Sequence, residues 1–401
     1  MAASANVPLE PTIIAKEALA MLENSMVMGR TVHRQYVKEF RKIGETVTIR
    51  KPVKFRVTEA RQRVTSTITE QSTTLEVKTQ AHVSWAFSSI ELTMSIEEYS
   101  ERYIKPAANA LANSVDVKLA ALYKDVHNQV GTPGTTPSTF AALGAAQQRL
   151  DEEAVPSTDR VGILNPAANW ALADGLKGTF AAKQASDILT RGYLGTIANL
   201  DLHMDQNIQS HTTGIFTTSA TPVVKTTSTT ADTTLSSQGW NASTSTVKDG
   251  DVFTVATVYA VNPVSGASTG VLKQWVVTAN TTADGSGFML TMPVSPTIKY
   301  TGSDPYDNCS ALPAAADAMT FVGTESTEYP QNLVYHPNAF ALVTVPLAMP
   351  ANVWGARESF NGLSLRVVKQ YDILEDDEVI RLDLLYGVKT LYPELAVRLT
   401  G

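Results

Sequence analysis

Three consecutive stretches decide the reading of this chain: Glu45-Thr-Val-Thr-Ile-Arg-Lys-Pro-Val-Lys-Phe-Arg-Val57, then Thr58-Glu-Ala-Arg-Gln-Arg-Val-Thr-Ser-Thr-Ile-Thr-Glu-Gln-Ser72, then Thr73-Thr-Leu-Glu-Val-Lys-Thr-Gln-Ala-His-Val-Ser-Trp-Ala-Phe87. In the first, Val47, Ile49, Val53, Phe55 and Val57 share one face, with Arg50, Lys54 and Arg56 opposite. In the last, Leu75, Val77, Ala81, Val83, Trp85 and Phe87 alternate with Lys78 and His82. Period-two alternation on both sides of a charged tip predicts one long β-hairpin over residues 45–92. Strands of about a dozen residues reach on the order of 40 Å. A two-stranded ribbon is marginal on its own in water, so it must rest on something else. A second copy of the same chain is the simplest support. Arg50, Phe55, Arg61, Arg63 and Glu70 are therefore the expected inter-subunit contacts. The mixed signs at the tip suit salt bridges to another subunit better than DNA.

The 401 residues suffice for two or three domains, and 43% hydrophobic with 18% charged residues indicates a globular chain. A net charge of −7 argues against a general nucleic-acid binder, though not against a protein that encloses DNA without gripping it. The single cysteine, Cys309, excludes an intrachain disulfide and a thiolate metal cluster. The first residues lack the basic start and apolar run of a signal peptide, and no stretch approaches the ~18 apolar residues of a membrane span.

Ile13, Ile14, Glu17, Ala18, Met21 and Leu22 keep a helical period. Ser95-Ile-Glu-Glu98 reads as a capping box. Pro106 should kink or restart the helix that follows, and Ala107, Leu111, Val115, Leu119, Leu122 and Val126 form one stripe. Roughly 25 such residues would make a rod of about 37 Å. Thr132 to Pro137 is a turn-rich linker. Ile163-Leu-Asn-Pro166 and Val334-Tyr-His-Pro337 each read as strand, cap, proline and helix; they are either two ordinary turns or an internal pairing. From 212 to 247 Thr and Ser dominate, followed by strand-like runs at Val252–Tyr259, Leu272–Val277 and Phe288–Met292. These predict an all-β domain over 215–328, inserted into a loop of the main domain. Near the C-terminus Ile380, Leu382 and Leu384 share a face, with Arg381 and Asp383 opposite.

Catalytic chemistry finds little support. Gly266-Ala-Ser-Thr-Gly270 matches a nucleophile-elbow string, but strand-like residues follow where that motif needs a helix. The six histidines show no metal-ligand spacing. Glu375-Asp-Asp-Glu378 lacks the alternation and glycine of a calcium loop and reads as a solvated turn, or as charges facing a neighbour's arginines. No catalytic, cofactor-binding or metal site is expected.

The order of parts resembles the major capsid proteins of tailed double-stranded-DNA bacteriophages, the HK-97-like fold, and within them the short-tailed Salmonella-phage P-22-like coat family with an inserted β-domain. Four stretches carry the resemblance: Val83 to Thr93 leading into Ala107 to Asp116; Tyr193-Leu-Gly to Gly214; Gly250-Asp-Val-Phe, Val258 to Pro263 and Gln331 to Phe340; and Tyr371-Asp-Ile with Arg381 to Gly387 and Pro393 to Arg398. The resemblance implies an α+β chain with an N-terminal arm (1–44), an extended loop (45–92), a peripheral domain with a long spine helix (93–160), an axial domain (161–214 and 329–360) interrupted by the β-domain (215–328), and closing peripheral strands (361–401). It implies a homo-oligomer of hexamers and pentamers forming an icosahedral virion shell, assembled in the host bacterial cytoplasm. Its implied partners are scaffolding protein and portal during assembly, enclosed double-stranded DNA without sequence-specific binding, and a decoration or cement protein; no membrane and no cofactor are implied. A lysine–asparagine crosslink known in one branch has no place here. Two other readings are an encapsulin-like compartment shell and, for the Thr/Ser-rich region, a surface adhesion protein.

Overall fold

A computed structural model of the chain describes residues 11–34, 46–55, 57, 61, 70–88, 100–176, 194–216, 221–302, 304–351 and 353–401. The fold is α+β, and it divides into two compact units, Met1–Arg50 with Ser72–Leu119 and Phe340–Lys389, and Lys51–Gln71 with Ala120–Ala339 and Thr390–Gly401. The capping box at Ser95 to Glu98 lies outside the described residues.

In the first unit, a five-stranded antiparallel sheet centres on Asp377–Thr390, flanked by Leu363–Asp372, Phe340–Thr344 and Thr79–Ser88, with Trp354–Phe360 at one edge. The helix Pro11–Ser25 lies against Trp354–Phe360 and Leu363–Asp372 and buries Ile14, Ala15, Ala18, Leu19 and Leu22, the stripe that its sequence period requires. A π-type turn at Ser100–Ile104 precedes the helix Lys105–Ala120, so the chain restarts as α-helix beside Pro106. Ala107, Leu111, Val115 and Leu119 are buried at four-residue intervals. The rod is shorter than the sequence suggests: after Ala120 it tightens to a 3-10 turn, Ala121–Asp125, and Val126 is already extended. Asp116, on the buried side, accepts the N–H groups of Val27 at 2.7 Å and Gly29 at 2.8 Å, tying the N-terminal segment to the long helix.

The return strand of the hairpin requires a correction. Only Thr46–Arg50 and Ser72–Glu76 pair with each other, from Thr46↔Glu76 to Arg50↔Ser72. Residues 79–88 leave the ribbon and pair along their whole length with the body, from Thr79↔Tyr386 to Ser88↔Asp377. Alternation runs unbroken from Leu75 to Phe87, but alternation fixes faces and not partners. The root of the ribbon is also seated on its own unit. Ile49, Leu75 and Val77 are buried, and the backbone passes so near Gly387 that a Cβ there would stand 2.3 Å from the Glu76 carbonyl oxygen.

Asp383, which alternation places on an outer face, is fully buried. Its carboxylate accepts from Arg366 at 2.6 Å, Arg381 at 2.7 Å and Gln80 at 3.1 Å. Burial pushes its pKa up, but these hydrogen bonds outweigh burial and hold it below the ordinary carboxylate value. A depressed native pKa adds stability that is present above about pH 4 and lost as pH falls through the native value. Asp383→Asn is expected to cost about 2–3 kcal/mol at neutral pH, less than a fully buried pair because Arg381 is partly exposed. Urea midpoints of both proteins between pH 7 and pH 3 check this: the gap should close on acidification, and a pH-independent gap would refute the charge-based account.

In the second unit, a mixed sheet of seven strands runs in the order Gln129–Val130, Ala396–Thr400, Glu328–Tyr335, Arg160–Leu164, Leu200–Met204 and Thr196–Ile197, with Ser210–Thr212 also pairing on Glu328–Tyr335. Helices Phe140–Glu152 and Pro166–Leu176 share its core through Leu143, Ala146, Leu150, Ala168 and Leu172. Asn165 caps the second helix, its Oδ1 accepting the Ala168 N–H at 2.9 Å. The two Asn/His-Pro units prove to be neighbours, Leu333 pairing with Ile163. Only the first continues as α-helix. Pro337–Ala339 is a single 3-10 turn, because Phe340–Thr344 is a fully buried strand.

Residues 223–321 form a separate six-stranded antiparallel sheet in the order Met319–Phe321, Val252–Val261, Ser268–Val277, Phe288–Ile298, Asp232–Gln238 and Val223–Val224. Its core contains Leu235, Trp240, Phe253, Trp275, Met289 and Met292. Ser268 opens a strand, and its hydroxyl accepts the Gly270 N–H at 3.3 Å. The elbow string is therefore a turn leading into a strand.

Candidate assembly surface

The distal arm begins where the ribbon ends. One further rung, from the Lys51 N–H to the Gln71 carbonyl at 2.7 Å, extends the ladder. Pro52 then removes a donor, and residues 52–55 are not strand. Among the described residues, the Lys54 N–H donates to the Tyr306 hydroxyl of the six-stranded domain at 3.1 Å. Beyond that point two described apolar side chains face solvent: Phe55 is 64% and Val57 88% exposed. Side chains of this size left in water are available to be covered.

The five predicted contact residues are distributed along this element. Arg50 is the exposed last residue of its strand and pairs across to Ser72. Phe55 and Arg61 are exposed, as is Glu70 just before the return strand. Arg63 lies outside the described residues. The arm thus carries exposed apolar groups together with an exposed cation.

A second exposed apolar feature, missed in the sequence, lies in the first unit. Leu363–Asp372 and Asp377–Thr390 form a long hairpin whose tip carries Ile373 at 80% and Leu374 at 89% exposure, with Tyr371 half exposed. Hydrogen bonds shape the turn: Leu374 N–H to Asp372 Oδ1 at 2.9 Å, and Tyr371 Oη–H to Asp376 Oδ1 at 2.6 Å. An open groove of about 470 Å³ runs beside it, lined by Val368, Gln370, Tyr371, Ile373, Leu374 and Arg381. The predicted acidic turn falls at this tip, with Glu375 and Asp376 in the turn and Asp377 and Glu378 opening the return strand. Its sequence signal was an Ile-Leu pair in a turn, where small and polar residues are usual.

The second unit holds a buried polar joint. Arg398, 1% exposed, donates from Nε to the Val126 carbonyl at 2.7 Å, from Nη1 to the Gly250 carbonyl at 2.7 Å and from Nη2 to the Lys124 carbonyl at 3.3 Å. Its guanidinium stands 5.3 Å over the Tyr123 ring. Burial pushes its pKa down to about 10, so it remains a cation at neutral pH, and burial pushes the Tyr123 hydroxyl up to about 12. Beside it, Asp251 bonds His211 Nε2 at 2.8 Å and accepts from the Lys248 N–H at 2.6 Å. Every carbonyl that Arg398 meets is backbone, so it is a structural clamp with nothing to react upon. Cys309 is buried, and burial pushes its thiol up to about 11, far from a nucleophile's range. Among the described residues no cluster of three His, Cys, Asp or Glu side chains is placed to hold a metal ion, and no helix is long and apolar enough to cross a membrane.

A protein-family model described as P22 coat protein - gene protein 5 matches residues 1–401. A curated relative described as a major capsid protein, from Acyrthosiphon pisum secondary endosymbiont phage 1, is 23% identical over 431 residues and covers 97% of each chain. Among solved structures, that of Mycobacterium phage Che8 is similar with a TM-score of 0.47 at 15% identity, covering 93% of this chain and 90% of its own. The capsid of Ralstonia phage GP4 is similar with a TM-score of 0.44 at 8% identity, covering 89% and 84%.

Proposed function

The chain belongs to the P22 coat protein family, and from that premise we propose that it builds the hexamers and pentamers of an icosahedral shell by lapping its arm onto neighbouring copies. It is a phage major capsid protein, a structural subunit and not an enzyme. The α+β chain takes the HK-97-like arrangement: arm 1–44, extended loop 45–92, peripheral domain 93–160 and 361–401, axial domain 161–214 and 329–360, inserted β-domain 215–328. The family match over the whole chain favours this reading over an encapsulin-like compartment.

The observation that carries the reading is complementarity between the two exposed elements. The arm offers Phe55, Val57 and Arg61; the acidic hairpin tip offers Ile373, Leu374 and a groove. Apolar burial supplies affinity, and opposite charge supplies register and encounter rate. Closure then multiplies contacts that are individually weak. Double-stranded DNA fills the interior without specific contacts, as the net charge of −7 favours. Scaffolding protein and portal act during assembly in the host cytoplasm, and a decoration protein binds the finished shell.

Electron microscopy of the purified protein tests the reading: closed shells are expected, and only soluble monomers under every assembly condition would contradict it. Reversing Arg61 and Arg63 together to glutamate is expected to slow assembly several-fold at low salt, with the difference shrinking as salt screens it. Light scattering reads the rate, and the melting temperature of unassembled subunits should stay unchanged. An equal loss in that melting temperature would place the arginines in the monomer's own fold.

A further inference from the structure

Shell building gives no use for a polar cavity in the second unit. It has a volume of about 400 Å³, and its walls include Lys51, Lys54, Gln71, His127, Lys273 and Lys299. Four ammonium groups in one small space repel unless anions answer them. Three carboxylates share the wall, Glu153, Asp307 and Glu394. Two of these are engaged already. Glu153 lies 3.3 Å from the Lys273 ammonium, both nearly buried. Asp307 accepts the N–H groups of Thr301 at 2.9 Å and Asp304 at 3.2 Å. Lys299 is paired with Asp304 at 3.1 Å. Lys51 stands 5.0 Å over the Tyr392 ring, and among the described residues neither Lys51 nor Lys54 makes an ion pair.

His127 supplies the independent observation. It is 1% exposed, and neither ring nitrogen has a hydrogen-bond partner among the described residues. A buried polar group without a partner is destabilising. Burial, with Lys273, Arg149 and Arg398 nearby, holds its pKa well below the ordinary imidazole range. The ring is therefore neutral at pH 7 and offers one donor and one acceptor. Unpaired lysines and an unsatisfied imidazole lining one cavity call for a ligand rich in acceptors that also carries negative charge.

We propose that this cavity binds a phosphate-class anion, held by Lys51 and Lys54 with His127 of the same lining as a hydrogen-bonding partner. Such an anion would tie the arm, which carries Lys51, Lys54 and Gln71, to the six-stranded domain, which carries Lys273 and Lys299. That consequence for assembly rests on the arm's proposed role; the binding site does not. A free anion and a phosphate of the DNA backbone share this chemistry, so both serve as probes.

The test titrates full-length unassembled subunits with sodium pyrophosphate by calorimetry, against sodium chloride at matched ionic strength and against a short DNA duplex. Saturable one-to-one uptake of pyrophosphate is expected, weakened by about tenfold or more in the double variant Lys51→Gln with Lys54→Gln. The exposed-surface control Lys16→Gln should bind as wild type. The ring resonance of His127 should shift during the pyrophosphate titration in histidine-labelled protein, and in the double variant only at correspondingly higher concentrations. Four results would overturn the site: no heat with pyrophosphate, a response that sodium chloride reproduces, equal affinity in the double variant, or saturation by duplex without any by pyrophosphate. None of these readouts depends on whether shells form, so failure here and failure of the assembly account are separable.

Discussion

Subunits in which residues 52–70 are replaced by Asn-Gly are expected to fold and to form no closed shells. The design follows from the ladder: the Lys51–Gln71 rung is retained, and Asn-Gly closes a two-residue turn of the type that antiparallel strands prefer. The seated root, Ile49, Leu75 and Val77, is untouched. What is lost includes the exposed Phe55, Val57 and Arg61. Covering Phe55 and Val57 at an interface stabilises it by about 1.5–3 kcal/mol for each side chain. Losing both weakens each pairwise contact by about a hundredfold or more. A closed shell repeats that loss at every copy, whereas each monomer keeps its seated root. Sedimentation velocity and electron microscopy should show monomers of nearly wild-type melting temperature. Normal particles from the shortened chain would remove the arm from the assembly account.

Arg398→Met is expected to produce the largest loss of monomer stability. The substitution keeps most of the volume and removes a guanidinium that satisfies three backbone carbonyls in the interior. Unsatisfied buried carbonyls cost about 1–3 kcal/mol each, and relief from burying a cation offsets part of this. A net loss of about 3 kcal/mol is the outcome of these opposing effects, which lowers the melting temperature by roughly 6–12 °C in a unit of this size. Arg398→Lys keeps the charge but cannot span three carbonyls, so it should recover less than half. With two compact units, global unfolding need not be two-state. Amide exchange near Val126 and Gly250 is the sharper readout. It should accelerate in Arg398→Met, while exchange in the strand Asp377–Thr390 of the other unit should not. Wild-type exchange rates in the variant would show that the clamp carries no stability.

Sequence pattern revealed what repeats locally. The four-residue stripe from Ala107 to Leu119 and the alternating runs at 252–261, 268–277 and 288–298 appear as helix and strands because periodicity reports one buried face. The ribbon's need for outside support was also readable, because two strands alone are marginal in water, and Phe55 and Val57 are exposed. Partner choice was not readable. Strand Thr79–Ser88 pairs with residues about 300 positions later, and nothing in its alternation distinguishes that partner from the nearer Thr46–Arg50. Pro337 marked a helix start as plainly as Pro166 did, but the buried run after Ala339 prevails over the local signal. Asp383 was misread because a charged residue in an alternating strand looks solvent-facing until the groups that satisfy it are placed. The exposed Ile373–Leu374 tip was missed because apolar pairs are assigned to cores by default.

The central claim is that the arm is covered by a neighbouring copy in the assembled shell. Electron cryomicroscopy of assembled particles, at a resolution that shows side chains, measures this directly. The account predicts Phe55 and Val57 in contact with residues of an adjacent subunit. Phe55 and Val57 facing solvent in the closed shell, with the arm touching only its own chain, would contradict it.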